Sequence, residues 1–190
     1  MKPDKRNEIM LAALELLAEQ GFHGAPMALI ASHAGVGTGT IYCHFASRDV
    51  LIRELLLDIE GRITTRIQDG DAATLPIRHR FSHVFTVLLN YFISHPTEFR
   101  YVEQFHNSPY GVEHRRDKLL GQNENKGLCN DLFRQGIDEG VIKDLPIVVL
   151  YALAFGPLLA VARDHILGFV TLDAAMTTRI VDACWDGVKR

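Results

Sequence analysis

The chain has 190 residues, 47% hydrophobic and 23% charged, which excludes an unfolded chain and leaves room for a packed core in one or two small domains. Its 15 glycines and 7 prolines follow no short period, so collagen-like and low-complexity structure are excluded as well. A net charge of −3 argues against a non-specific nucleic-acid coat, which would be strongly basic.

Charge distribution says more than the sum. From Gln20 to Arg48 there is no Asp or Glu, while His23, His33, His44 and Arg48 fall within or close that stretch, so one local surface can approach a polyanion. Cys43, Cys129 and Cys184 are far apart and make neither a disulfide framework nor a CxxC metal knuckle. They suit a reducing cytosol. The opening MKPDKRNEIM lacks the apolar run and cleavage site of a secretory signal, and a cytoplasmic protein is the expectation.

Aliphatic residues recur at helical spacing almost throughout, with no sustained period-two alternation, so the fold class is all-α. Asn7 can cap a first helix over about 7–20, with Ile9, Met10, Ala13, Leu14 and Leu17 on one face and Gly21-Phe22 as its stop. Pro26 stands where a second, short helix begins, and Met27, Ile30, Ala31 and Ala34 carry its apolar stripe to Gly35. The turn Gly35-Val36-Gly37 leads into a third helix, Thr38 to His44. Ser47 caps a fourth over about 48–67, marked by Leu51, Ile52, Leu55, Leu56, Ile59 and Ile63.

Gln68 to Leu75 reads as a linker. Beyond it the spacing predicts helices over about 76–94, 97–106, 112–138, 146–167 and 172–188. The uncharged run Leu145 to Ala162 approaches the length of a membrane span, but Pro146 and Gly156-Pro157 interrupt it and Arg163-Asp164 close it. It reads as a helix buried in the core or against a second subunit, and no membrane partner is expected.

The segment Ala34 to Phe45, AGVGTGTIYCHF, has the order helix, tight glycine turn, short helix rich in hydroxyl and imidazole groups. In a helix-turn-helix the first helix crosses the DNA backbone and the second enters the major groove. Thr38 and Thr40 can reach base edges, Gly37 and Gly39 allow close backbone approach, and Tyr42 and His44 can donate to phosphate. Arg48 adds a charge. Ile41 and Phe45 would face inward onto Ala13, Leu17 and Ile30. The plainer alternative is a solvated helix surface, since helix-turn-helix geometry also occurs in proteins that never touch DNA.

Other chemistry finds little support. His79 and His83 are i, i+4 but lack a third ligand, so no metal is expected. Gly35-x-Gly37-x-Gly39 follows no strand and lacks the third glycine of a dinucleotide fingerprint at the right offset. Cys43 and His44 are adjacent on a helix and point about 100° apart, which does not make a nucleophile–base pair. With no GxSxG elbow, P-loop or paired catalytic carboxylates, neither an enzyme nor a cofactor is expected.

Residues 7–56 closely resemble the N-terminal domain of the TetR (tetracycline-repressor-like) family of bacterial transcriptional regulators. The resemblance lies in Glu19-Gln20-Gly21-Phe22, Ile30-Ala31, Ala34-Gly35-Val36, Gly39-Thr40-Ile41-Tyr42, His44-Phe45 and Ser47-Arg48-Asp49 with Leu51. The chain departs from the family at Ala25 and Pro26, where Thr or Ser is frequent, and at Gly37, where a Ser cap is usual. Such a capping loss costs about 1 kcal/mol.

The resemblance implies a DNA-binding domain over 1–47 and a helical effector and dimerisation domain over 48–190, with helix 48–67 connecting them. It implies a homodimer reading two half-sites of a palindromic operator about 34–36 Å apart, released by a small effector. The dimer contact would come from the last two long helices, through Leu150, Leu153, Leu158, Val161, Ile180, Val181, Cys184 and Trp185. Phe92, Phe99, Phe105, His106, Tyr110, Phe133, Tyr151 and Phe155 are candidates to line a pocket for a partly apolar effector.

Overall fold

The computed structural model describes residues 4–69, 74–120 and 128–190. Among the described residues there are ten helices and one isolated antiparallel bridge, Ile142 to Lys189. They are α1 Lys5–Gly24, α2 Met27–His33, α3 Thr38–His44, α4 Arg48–Gln68, α5 Ile77–Ser94, α6 Pro96–His106, α7 Pro109–Leu120, α8 Leu128–Asp138, α9 Ile147–Ile166 and α10 Ala174–Val188.

The all-α expectation holds, with shifts that have local causes. α1 starts before Asn7 because Asp4 is the cap, its carboxylate accepting from the Arg6 N–H at 3.1 Å. Gly21 takes φ 72°, interrupting the helix where Gly21-Phe22 predicted its end. Pro26 precedes the first residue of α2 as its N-cap, in an extended conformation. The single helix expected over 112–138 is corrected at its start: α7 opens at Pro109, after Ser108, whose carbonyl accepts from Gly111 N at 3.0 Å. Its middle, 121–127, lies outside the described residues, as do 70–73 of the expected linker.

Two compact units are formed, one from the chain up to Gly61 together with His95–Glu113, the other from Arg62–Ser94 and His114–Arg190. The division between these units falls inside α4, and α6 belongs with the N-terminal residues. Aromatic packing is the reason. The ring of Phe22 meets Tyr101, Phe105 and Tyr110 edge-on at 5.9, 6.4 and 5.7 Å. Tyr101 donates to the Ile52 carbonyl at 2.5 Å, and Gln104 to that of Ala18 at 2.8 Å. Burial raises the Tyr101 pKa, so the phenol stays a neutral donor.

In the second unit α5, α8, α9 and α10 enclose Phe81, Phe85, Phe133, Leu150, Leu158, Val181 and Trp185. Phe81 and Phe85 stack at 4.0 Å, and Phe81 meets Trp185 edge-on at 5.2 Å. Arg66 lies over the Tyr91 ring at 4.8 Å and His83 bonds the Ile67 carbonyl at 2.8 Å, which holds the last turns of α4 to α5. Among the described residues one helix, α9, is long and apolar enough to cross a membrane, and it contains Pro157. Much of α9 is uncovered: Val148, Val149 and Leu153 are each more than a third exposed.

Candidate nucleic-acid interface

The site is built on a hydrophobic base that the sequence pattern specifies. Ala13 and Leu17 of α1, Ile30 of α2, Ile41 of α3 and Phe45, which caps the end of α3, are fully buried, so the inward face expected for α3 is present. At the end of α2, the Ala34 N–H bonds Ile30 O at 2.9 Å and Val36 N bonds Ala31 O at 2.9 Å. Gly35 makes the turn between them at φ 64°, a conformation few side chains tolerate. Gly37 then caps α3 with no side-chain bond, as a glycine in place of a Ser cap must.

Opposite the buried anchors, Thr38, Gly39, Thr40, Tyr42, Cys43 and His44 are exposed, Tyr42 by 51%. The outward side of Gly39 is open, with no atom within 4 Å of where a Cβ would stand. α3 therefore presents a row of hydroxyl and imidazole donors, separated by a glycine, on a helix whose other side is clamped into the core. Such a surface can meet base edges and phosphates.

Arg48 is placed differently from its companions. Its Nε donates to the Ala25 carbonyl at 3.1 Å and its Nη2 is buried, so the guanidinium turns inward and ties the start of α4 to the residue before α2. The Ser47 hydroxyl accepts from Val50 N at 3.2 Å, capping α4 as predicted.

Sequence reasoning missed two supports. Arg6 lies over the Phe45 ring at 5.4 Å and pairs with Glu54 at 2.6 Å, closing the base from the α1 side. Tyr110 donates to Asp49 at 2.5 Å and Arg53 pairs with Glu113 at 2.5 Å, so the first turns of α4 are held by the start of α7. The Asp49 bond, with partial burial, raises the Tyr110 pKa. The only sequence signal for this support was Phe22 after its glycine stop.

The residues expected to line an effector pocket divide between the units. Phe99, Phe105, His106 and Tyr110 belong to the first, and Phe92, Phe133, Tyr151 and Phe155 to the second. Phe92, Phe99, Phe105 and Phe133 are buried core side chains. Tyr151 and Phe155 are half-buried and stack at 4.9 Å.

The dimer candidates divide by burial. Leu150, Leu158, Val181, Cys184 and Trp185 are consumed by the chain's own core, where α5, α9 and α10 meet. Burial also raises the Cys184 pKa, which keeps the thiol neutral. Leu153, Val161 and Ile180 remain accessible, Leu153 by 38%.

Comparison with known proteins agrees with this arrangement. Residues 9–55 match the model of bacterial regulatory proteins of the tetR family, and residues 76–189 match the tetracyclin repressor-like C-terminal domain. The HTH-type transcriptional regulator UidR of Escherichia coli K12 is 36% identical over 64 residues, 34% of this chain and 33% of UidR, so that match spans about a third of the relative's length. The structure of a TetR family protein from Vibrio parahaemolyticus is 32% identical, covers 98% of this chain and 99% of its own, and superposes with a TM-score of 0.75. The FadR regulator of Bacillus subtilis in complex with stearoyl-CoA shares the fold at 19% identity, with a TM-score of 0.75 over 95% of this chain and 98% of FadR. The two family models together account for most of the sequence, and the chain belongs to the tetR family of bacterial regulatory proteins, the TetR-family transcriptional regulators.

Proposed function

We propose that the chain is a homodimeric, ligand-responsive repressor in which α3 of each protomer reads one half-site of a palindromic operator. The observation that carries this reading is the two-sided character of α3, with Ile41 and Phe45 buried behind it and Thr38, Thr40, Tyr42 and His44 exposed in front. Thr40 then contacts a base edge, and Tyr42 and His44 fix the register on phosphates. Arg48 acts as a positioning residue through Ala25. DNA as the partner requires a cytoplasmic location, and the reading assigns no catalytic step.

Selection of bound oligonucleotides from a random pool identifies the operator, and mobility shifts on it test the residues. Thr40→Ala is expected to relax preference at one base pair per half-site, by about 1–3 kcal/mol, while Tyr42→Phe weakens binding to all sequences alike. Operator binding unchanged in both variants overturns the assignment of this face.

The dimer reading rests on α9. Val149, Leu153, Gly156, Pro157 and Ala160 leave a continuous apolar strip uncovered along one side of a helix whose other side is core. A second copy related by a two-fold axis covers it with the same strip. Leu153→Arg is expected to turn the dimer into a monomer at micromolar concentration in sedimentation, with helicity unchanged. A monomeric wild-type chain defeats this part of the reading.

The effector belongs to the second unit in this reading, with Tyr151 and Phe155 among its contacts. The shared fold holds stearoyl-CoA in the B. subtilis FadR, so a helical frame of this kind admits a molecule with an apolar tail. Release proceeds by population shift, and a coupling of about 1–3 kcal/mol lowers operator affinity about 5- to 150-fold.

A further inference from the structure

We infer that operator binding by this chain is proton-linked, with the His44 imidazolium as the main phosphate cation of the reading head. The inference rests on α3 being the DNA-facing helix. Between Arg6 and Arg48 the sequence contains no Lys or Arg, so α2, α3 and nearly all of α1 carry no permanent positive charge. Phosphate contacts supply a large share of protein–DNA affinity, and they require cations or strong donors.

Permanent cations elsewhere in the described part of this unit do not fill the gap. Lys5 is paired with Glu8 at 2.7 Å, Arg6 with Glu54 at 2.6 Å and Arg53 with Glu113 at 2.5 Å. Arg48 is turned onto the Ala25 carbonyl, and Arg100 sits on α6, which packs against α1. Lys2 lies outside the described residues.

What remains on the acid-free surface is imidazole. His33 bonds Glu15 at 2.9 Å, so its ring is already engaged by a carboxylate of its own protein. His44 is exposed in the last turn of α3, one residue before the buried Phe45, and α3 itself offers only Tyr42 and Cys43 as titratable neighbours. The elements packed on α3 are α1, with Lys5, Arg6, Glu8, Glu15, Glu19 and His23, and α2, with His33. Arg48 and Asp49 follow at the start of α4. Of the carboxylates, Glu8, Glu15 and Asp49 are each bonded to another partner, Lys5, His33 and Tyr110. Among the described residues Glu19 has no bond to His44 either, whose one contact of this kind is its ring against Phe45, so a phosphate brought against α3 is the new anion that His44 meets on binding.

Imidazole is the side chain whose charge ordinarily changes between pH 5 and 8, and an adjoining anion favours the protonated form. Each proton taken up on binding strengthens affinity by up to tenfold per pH unit, so two His44 residues in a dimer contribute up to about 100-fold. At low pH the protein neutralises about two more phosphates per dimer, which steepens the salt dependence by about 1.8 in log K against log salt.

The experiment measures affinity for the selected operator at pH 6, 7 and 8 and at three salt concentrations, for the full-length wild type, His44→Gln and His44→Lys. Circular dichroism checks the fold of each at every pH. Wild-type affinity is expected to fall at least about tenfold from pH 6 to pH 8, with the salt slope flattening. His44→Gln is expected to lose the difference between the two pH values, and His44→Lys to keep tight, pH-independent binding. Sequence-specific binding that does not change with pH, or a pH dependence that persists in His44→Gln, overturns the inference and leaves the DNA reading standing. Absence of sequence-specific binding at every pH defeats the DNA reading itself and the inference with it.

Discussion

Replacement of Gly111 by alanine is expected to destabilise the chain by about 3 kcal/mol, the upper end of the cost of overpacking a core. A Cβ at this position would lie 2.3 Å from the Phe105 carbonyl oxygen and 2.5 Å from the His106 Cα. Both are backbone atoms, so no rotamer change relieves the clash and α7 must move off α6. The movement strains the Tyr110 bond to Asp49, the Arg53–Glu113 pair and the stacking of Tyr110 on Phe105 at 6.2 Å. For a chain of this size the loss corresponds to about 6–12 °C in Tm. Thermal and urea denaturation of the two proteins measure it, and a midpoint shift below 2 °C would show that α6 and α7 are not packed this closely. Because those bonds hold the first turns of α4, beside α3, the surviving folded fraction is also expected to bind its operator more weakly.

What the sequence revealed and what it concealed follow from the range of the interactions involved. The base under α3 was legible, because Ala13, Leu17, Ile30, Ile41 and Phe45 lie at helical spacing and their inward orientation follows from periodicity alone. The turn at Gly35 was legible for the same local reason, a glycine after the last apolar position of a helix. Arg48 was not. An arginine at a helix start in an acid-free stretch reads as a phosphate ligand, and only the position of the Ala25 carbonyl, 23 residues earlier, turns it inward. The membership of α6 in the N-terminal unit was equally hidden, since it depends on Phe22 meeting Tyr101 and Phe105 across some 80 residues. Apolar spacing marks Leu150, Val181 and Trp185 as facing something. It does not say whether that is the chain's own core or a second copy, and the burial of these side chains in the monomer decides for the core.

Gly39 presents the reverse of Gly111. The sequence marks Gly39 as a point of close backbone approach, and at Gly39 nothing in the protein stands within 4 Å of an added Cβ, while the residue lies inside α3 with an ordinary φ. Its own fold gains nothing from the missing side chain and pays about 0.5–1 kcal/mol of helix propensity for it. Gly39→Leu is therefore expected to leave Tm unchanged or raise it slightly. The same side chain projects from the first turn of α3, between Thr38 and Thr40, into the space a duplex would occupy if α3 reads it. Operator affinity is then expected to fall at least about 100-fold, or about 2.7 kcal/mol, because separating α3 from the groove removes the base contacts of both neighbours in both half-sites. A destabilised variant that binds poorly would carry no information about the interface, and for that reason the two measurements are made together. A Gly39→Leu protein that melts like the wild type and still binds the operator at wild-type strength would place the DNA on another face.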